Sequence, residues 1–341
     1  MVRTPGSMIL ERYRRAGADP PFWDPARDHG GAFEGYYWRF TDAAAGRVVI
    51  ALCGLTGFGS GRWAVVAIAA HPGGAVRTAI LRTVAADRGG LGVRAGEADG
   101  TDGSESSRGL SGSDRELEAV LGPDVVLRAR IEGPRRFPRR AVGSSGVAQV
   151  VPGLPQYWQP HLMGGRVSGE LRLGDETVAL DGATAYVEKN WGSSFPARWW
   201  WGQADDFADD ACVAFAGGPL RIGGLGIAPT LVAIRLGERY LSLAPPLART
   251  RAAVGEHGWR IDVRSPRYAV ELEGDDPSAS AVALPVPRAD AVATDPRSHQ
   301  ALAGRLRVVV RRGWRTLLAG ESRLAGLERP GPRQSEVAAS G

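Results

Sequence analysis

Period-two alternation bounded by glycine is the pattern that most constrains this chain. Val167, Gly169, Leu171 and Leu173 alternate with Arg166, Ser168, Glu170 and Arg172. Tyr268, Val270 and Leu272 alternate with Arg267, Glu271 and Glu273, and Leu306, Val308 and Val310 with Arg305, Arg307, Val309 and Arg311. Residues two apart share one face of a strand, so these segments read as antiparallel strands wet on one side. Arg47 to Cys53, Trp63 to Ala70, Val76 to Val84 and Val125 to Ile131 extend the strand series. The 47 Gly and 23 Pro favour many turns over long helices. The expectation is an all-β, antiparallel protein of sandwiches or barrels with very little helix. One short helix is predicted after Ser113-Asp114-Arg115-Glu116, a capping-box sequence followed by Leu117, Val120 and Leu121.

A chain of 341 residues with 43% hydrophobic content is long for one core, so two domains are predicted. The Pro/Gly run Val151 to Pro155 is the candidate junction, giving an N-terminal β domain over 25–150 and a C-terminal β domain over 151–328. Residues 88–112, rich in Gly, Ser, Asp and Glu, read as a mobile loop, and 329–341 as a disordered tail. The net charge of +5 is scattered. The cluster Arg135, Arg136, Arg139 and Arg140 reads as a solvated face, since no basic helix or aromatic-basic repeat accompanies it, and no nucleic-acid partner is expected. The N-terminus lacks a signal-type apolar core and no run reaches the ~18 apolar residues of a membrane span. A cytoplasmic protein is expected, with room for peripheral membrane contact. Cys53 and Cys212 sit in apolar runs and read as buried thiols. The five histidines have no zinc spacing, and Arg62 breaks the glycine fingerprint begun by Gly57 and Gly59, so no metal and no cofactor are expected.

The chain holds one lysine against forty-one arginines, and that lysine lies in its most aromatic stretch. Lys189 sits in Tyr186-Val187-Glu188-Lys189-Asn190-Trp191-Gly192, shortly before Trp199, Trp200 and Trp201. A lone ammonium among arginines marks a place that takes a compact point charge instead of a planar fork. On a strand, Tyr186, Glu188 and Asn190 face one way and Val187, Lys189 and Trp191 the other. Strict alternation turns Lys189 away from a pocket on the Glu188 side. On the next strand Trp199, Trp201, Gln203, Asp205 and Phe207 share a face, and in an earlier one Glu34, Tyr36, Trp38 and Phe40 do. Carboxylates interleaved with indoles are expensive to bury without a purpose. An acid in an apolar pocket has a raised pKa and can deliver a proton near neutrality, and indole faces stabilise a nearby cation. Such a face suits protonation of an electron-rich alkene; an apolar-ligand barrel is the alternative.

These residues resemble the tocopherol cyclase family. Phe33-Glu34-Gly35-Tyr36-Tyr37 is similar to that family's Phe-Glu-Gly-Trp-Tyr motif. Glu188-Lys189-Asn190-Trp191-Gly192, Phe195-Pro196 and Trp199-Trp200-Trp201-Gly202-Gln203 resemble its second block. The resemblance runs from roughly residue 20 to 328 and implies two lipocalin-like β domains akin to carotenoid hydratases. It also implies closure of a hydrophobic prenylated hydroquinone to a chromanol. In that reading Glu188, then Asp205, is the catalytic acid. Glu34, Tyr36, Trp38, Lys189, Asn190, Trp191, Trp199, Trp201 and Gln203 line the substrate site. Tyr36 stands where the family favours Trp, Ala204-Asp205 replaces a Cys-Asn pair of the plant members, and 88–112 has no counterpart. A non-catalytic isoprenoid or quinone carrier and a carotenoid-type alkene hydratase are the other readings.

Overall fold

A computed structural model describes residues 33–57, 62–86, 91–97, 108–138, 143–193, 195, 198–222, 225–255, 258–275, 281–287 and 292–330. Among the described residues the chain is antiparallel β-structure with one short 3-10 turn, Gly146–Val150, and no α-helix. It forms a twelve-stranded sheet, a ten-stranded sheet and a small two-stranded ribbon. The all-β expectation holds.

The twelve-stranded sheet curls around a core of its own. Tyr36, Trp38, Val66, Leu81, Val93, Leu117, Leu127, Leu171 and Val187 come from strands spread across its width, yet pack as one cluster. The ten-stranded sheet encloses a second core around Phe215, Ile234, Ile261, Val270, Val308 and Leu327. A third apolar layer joins the two, with Tyr37, Ile50, Trp158 and Tyr186 from the first sheet against Trp201, Cys212, Leu284 and Leu302 from the second. The first-sheet strands at this junction are therefore covered on both faces. That is why Trp63–His71 reads as an unbroken apolar run and is buried along nearly all of its length.

Polar contacts tie the layers together. Arg39, fully buried, donates from Nη2 to the Leu302 carbonyl at 2.7 Å and also to the Leu324 carbonyl. Gln300 donates from Nε2 to the Tyr37 hydroxyl at 2.8 Å, and Ser242 Oγ to the Ser144 carbonyl at 2.7 Å.

Four local expectations are corrected. The first sheet does not end near residue 151: Gln156–Leu173 and Thr184–Gly192 both belong to it, and the chain passes to the second sheet between Gly192 and Trp200. The capping-box sequence is a hairpin turn between the strands Gly109–Ser113 and Glu116–Gly122. Ser113 Oγ accepts from the backbone N–H groups of Arg115 and Glu116 at 3.1 Å each, a bond that closes a tight turn as readily as it starts a helix. Within 88–112, Gly92–Gly96 and Gly109–Ser113 are paired strands, while 98–107 lie outside the described residues. At the other end the last strand runs on to Pro330, and 331–341 lie outside the described residues.

Candidate active site

The two motif segments are neighbours in space. Phe33–Asp42 pairs antiparallel with Thr184–Gly192 in a register that sets Glu34 opposite Trp191, Tyr36 opposite Lys189 and Tyr37 opposite Glu188. Directly opposed residues share a face. The register thus sorts the motifs into two chemically distinct sides.

One side points into the first sheet's core. Lys189 Nζ lies 2.9 Å from Glu34 Oε2, with the lysine fully buried and the glutamate 2% exposed. The Tyr36 hydroxyl donates to the same Oε2 at 2.9 Å, and the ammonium lies 4.9 Å from the centre of the Tyr36 ring and 5.8 Å from that of Trp191. Trp38 lies deeper in this core and donates from Nε1 to the Ser113 carbonyl at 2.8 Å. Trp191 stacks on Tyr157 at 5.5 Å. Glu34, Lys189, Trp38 and Trp191, expected at the substrate, therefore lie off the cavity described next and stabilise the sheet; Tyr36, Cys53 and Tyr157 reach its lining from this side.

The other side opens onto a cavity of about 400 Å³ at the junction of the two sheets. Glu188, 4% exposed, lies in its wall. Three donors converge on Glu188 Oε2: Trp158 Nε1 at 2.7 Å, the Tyr186 hydroxyl at 2.5 Å and Trp201 Nε1 at 2.8 Å. Burial pushes the Glu188 carboxyl up to about 7, against the opposing pull of these three bonds, and the nearby Glu328 carboxylate adds to the rise. With Oε2 occupied as an acceptor, a proton on Glu188 belongs on Oε1. Tyr37 packs edge-on against Trp201 at 5.3 Å, and Trp199, Trp200 and Trp158 also line the space. Gly35 and Gly54, paired across adjacent strands, line it as well. A Cβ on Gly35 would sit 2.4 Å from Asn190 Oδ1, so glycine here leaves room for that amide at the cavity wall. Val147, Val151, Leu154, Ile227 and Pro246 make much of the remaining lining apolar.

Trp199, Trp201 and Asn190 line the same cavity as Glu188. Gln203 is fully buried and donates from Nε2 to Cys212 Sγ at 3.6 Å, away from the cavity lining. Asp205 is also outside that lining, near Arg39; burial raises its carboxyl to about 6 while the Arg39 guanidinium pulls it down. Phe207, beyond the end of the Trp200–Ala204 strand, packs in the second sheet's core instead of beside Trp201. Sequence reasoning named Tyr37 and Tyr186 without assigning them to the site, and missed Trp158 and Glu328. The aromatic pair Tyr157-Trp158 was a usable signal, obscured by its place beside the supposed junction. Glu328 sat at the supposed edge of a tail and gave no periodic signal.

With this geometry in place, likeness to known proteins acquires meaning. The family described as "Tocopherol cyclase-like" matches residues 136–331, more than half of the chain. The chain belongs to the tocopherol cyclase-like family. The matched range holds Glu188 and Trp158, Trp199, Trp201 and Glu328 around the cavity; the Phe33–Tyr37 motif lies outside it. Among curated relatives, the tocopherol cyclase, chloroplastic, of Zea mays is 27% identical over 158 residues, 45% of this chain and 33% of that protein. The probable tocopherol cyclase, chloroplastic, of Oryza sativa subsp. japonica is 28% identical over 136 residues, 38% of this chain and 29% of that protein. The match thus spans about a third or less of each plant relative. The fold is similar to the crystal structure of CghA with Sch210972, with a TM-score of 0.58, 13% identity, and coverage of 89% of this chain and 88% of that one.

The buried Glu188 carboxyl has a stability signature. Glu188 goes from an ordinary 4.5 to about 7, so the folded chain holds the proton more tightly than the unfolded one. Stability should therefore fall as pH rises through this window, by about 3 kcal/mol in total from this group. Burial raises Glu328 and Asp205 in the same direction. Burial also acts on Asp114, but hydrogen bonds from His161 and Arg136 hold it well below the usual range, so its contribution is lost only in stronger acid. Thermal unfolding should show higher stability near pH 5 than near pH 8. The slope should flatten in Glu188→Gln; an equal slope in both proteins would mean that Glu188 ionises freely.

Proposed function

We propose that this protein closes a prenylated hydroquinone to a chromanol by acid catalysis. The observation that carries this reading is the Glu188 carboxyl, poised at about 7 and fixed by three donors in the wall of an aromatic cavity. Family membership supports the same chemistry. Glu188 Oε1 gives its proton to the prenyl double bond nearest the ring. A C–H bond forms at the less substituted carbon, the π bond breaks, and positive charge develops on the tertiary carbon. The faces of Trp199, Trp201, Trp158 and Tyr37 stabilise that cation in a site with little competing solvation. The phenol oxygen attacks it and closes the ring, with the Asn190 amide at hand to orient the oxygen. The sum is an isomerisation: product and substrate have the same composition, and no electrons are gained or lost.

The volume fits a ring and the adjoining isoprene units, at the lower end of the roughly 300–1,000 Å³ of small-molecule sites. The apolar lining around Leu154, Ile227 and Pro246 suits the rest of a prenyl tail. Incubation of the purified protein with a panel of prenylated hydroquinones, followed by mass and ring analysis, tests the reading. The expected product is isomeric with its substrate and carries one new ring. A product heavier by one water would make the protein a hydratase, and binding without turnover would make it a carrier.

A further inference from the structure

We propose that Glu328 is the proton acceptor that completes ring closure, so that Glu188 and Glu328 act as an acid–base pair across one cavity. This inference rests on the cyclisation reading above and assigns the half of the reaction that Glu188 does not perform. Glu328 lies in the last strand, directly opposite Trp201 on one neighbouring strand and opposite Gln300 on the other. Its carboxyl lines the same cavity as Glu188. Trp199 donates from Nε1 to Glu328 Oε1 at 2.8 Å, as Trp201 donates to Glu188 Oε2 at 2.8 Å. Two indoles of one segment, two residues apart, thus each hold one carboxyl, and the reacting carbons would lie between them.

Two carboxyls sharing an apolar enclosure resist ionising together. Burial raises Glu328, opposed by the Trp199 indole and the Ser298 hydroxyl, and Glu328 in turn raises Glu188. Glu188 is 4% exposed and Glu328 is less fully covered, the order required of a pair in which Glu188 holds the proton and Glu328 receives one. The other titratable groups against the cavity are Tyr36, Tyr37, Cys53 and Tyr157, whose hydroxyl donates to the Val151 carbonyl, with Tyr186 behind Glu188. Burial pushes Tyr37, Cys53 and Tyr186 far above their ordinary ranges and keeps them neutral. Among the cations, Lys189 follows Glu188 in sequence but pairs with Glu34 on the opposite face of the sheet, Arg39 lies two residues from Tyr37 and acts on it, and Arg329 follows Glu328. In the proposed step the phenol O–C bond forms at the tertiary carbon, the O–H bond breaks, and that proton passes to the Glu328 carboxylate. The site resets when one proton leaves Glu328 and one returns to Glu188.

The experiment compares wild type, Glu328→Gln, Glu328→Asp and Glu188→Gln with prenylated hydroquinone in deuterated buffer. Without the acceptor, protonation still occurs but the cation reverts. Glu328→Gln should therefore wash deuterium into the prenyl chain of recovered substrate while chromanol formation falls by about 10²-fold. Glu188→Gln should show neither label nor product. The alkaline limb of the wild-type pH–rate profile reports Glu188, and in the residual activity of Glu328→Gln it should move to lower pH, since a repelling charge is gone. Glu328→Asp keeps the charge and should recover part of the chromanol, which also reads the role if the Gln variant folds poorly. Chromanol at the wild-type rate in Glu328→Gln, or an unmoved alkaline limb, overturns the proposal. A wild type that forms no chromanol overturns the cyclisation reading itself. In that case infrared titration of the carboxyls still shows whether removing Glu328 lowers the Glu188 pKa.

Discussion

Glu188→Gln is expected to lower turnover by roughly 10²–10⁴ while leaving substrate affinity nearly intact, the range associated with loss of a positioned general acid. The substitution keeps size and keeps an oxygen that can accept from Trp158, Tyr186 and Trp201, but it removes the proton that the reaction consumes. The same variant should gain stability above pH 7, because the wild-type site must hold a carboxylate where burial disfavours one. Loss of activity together with a rise in alkaline stability is the signature of a residue kept for chemistry at the expense of the fold. Steady-state kinetics and thermal melts on the same preparation read both. Equal losses of affinity and turnover would instead make Glu188 a positioning residue.

The second large effect belongs to the buried pair on the opposite face. Lys189→Met leaves Glu34 charged or forcibly neutralised in the first sheet's core, beside Tyr36, and should destabilise the protein by about 3–5 kcal/mol in denaturant unfolding. Adding Glu34→Leu removes the stranded carboxyl and should restore most of that loss. Lys189→Arg keeps the charge but must place a larger planar group between Glu34, Tyr36 and Trp191, at about 1–3 kcal/mol. This packing accounts for the one lysine in a chain that otherwise uses arginine. If Lys189→Arg melts like wild type, the lysine is an accident of composition.

The strand architecture was legible because period-two patterning depends on nearest neighbours, and those are written in the sequence. The alternation of Tyr186, Glu188 and Asn190 against Val187, Lys189 and Trp191 survives in the structure for that reason. What alternation cannot supply is the partner of each face. In Phe33–Asp42 the aromatic side holding Glu34, Tyr36 and Trp38 looked like a substrate wall, yet it is mostly core. The cavity takes Gly35 and Tyr37 from the plainer side, and touches Tyr36 at its margin. The deciding fact is the pairing of Tyr37 with Glu188, a register between distant segments that no local pattern encodes. Glu328 was hidden similarly, since its meaning comes from lying opposite Trp201. The strand from Gln156 to Leu173 shifts register between Pro160 and Leu162 and again between Met163 and Arg166, which disrupts any face assignment read by counting.

The most direct measurement of the central claim is a single-turnover reaction of the wild-type protein with a prenylated hydroquinone in deuterated buffer, with the product resolved by mass and by carbon-bound deuterium. A proton delivered by Glu188 comes from solvent exchange and ends on carbon. The account predicts a chromanol that, once its free hydroxyl is exchanged back to hydrogen, carries one deuterium in place of one hydrogen, with the label on the ring carbon next to the former tertiary centre. Chromanol without carbon-bound deuterium would mean that ring closure does not pass through alkene protonation by an exchangeable acid, and would contradict the role assigned to Glu188.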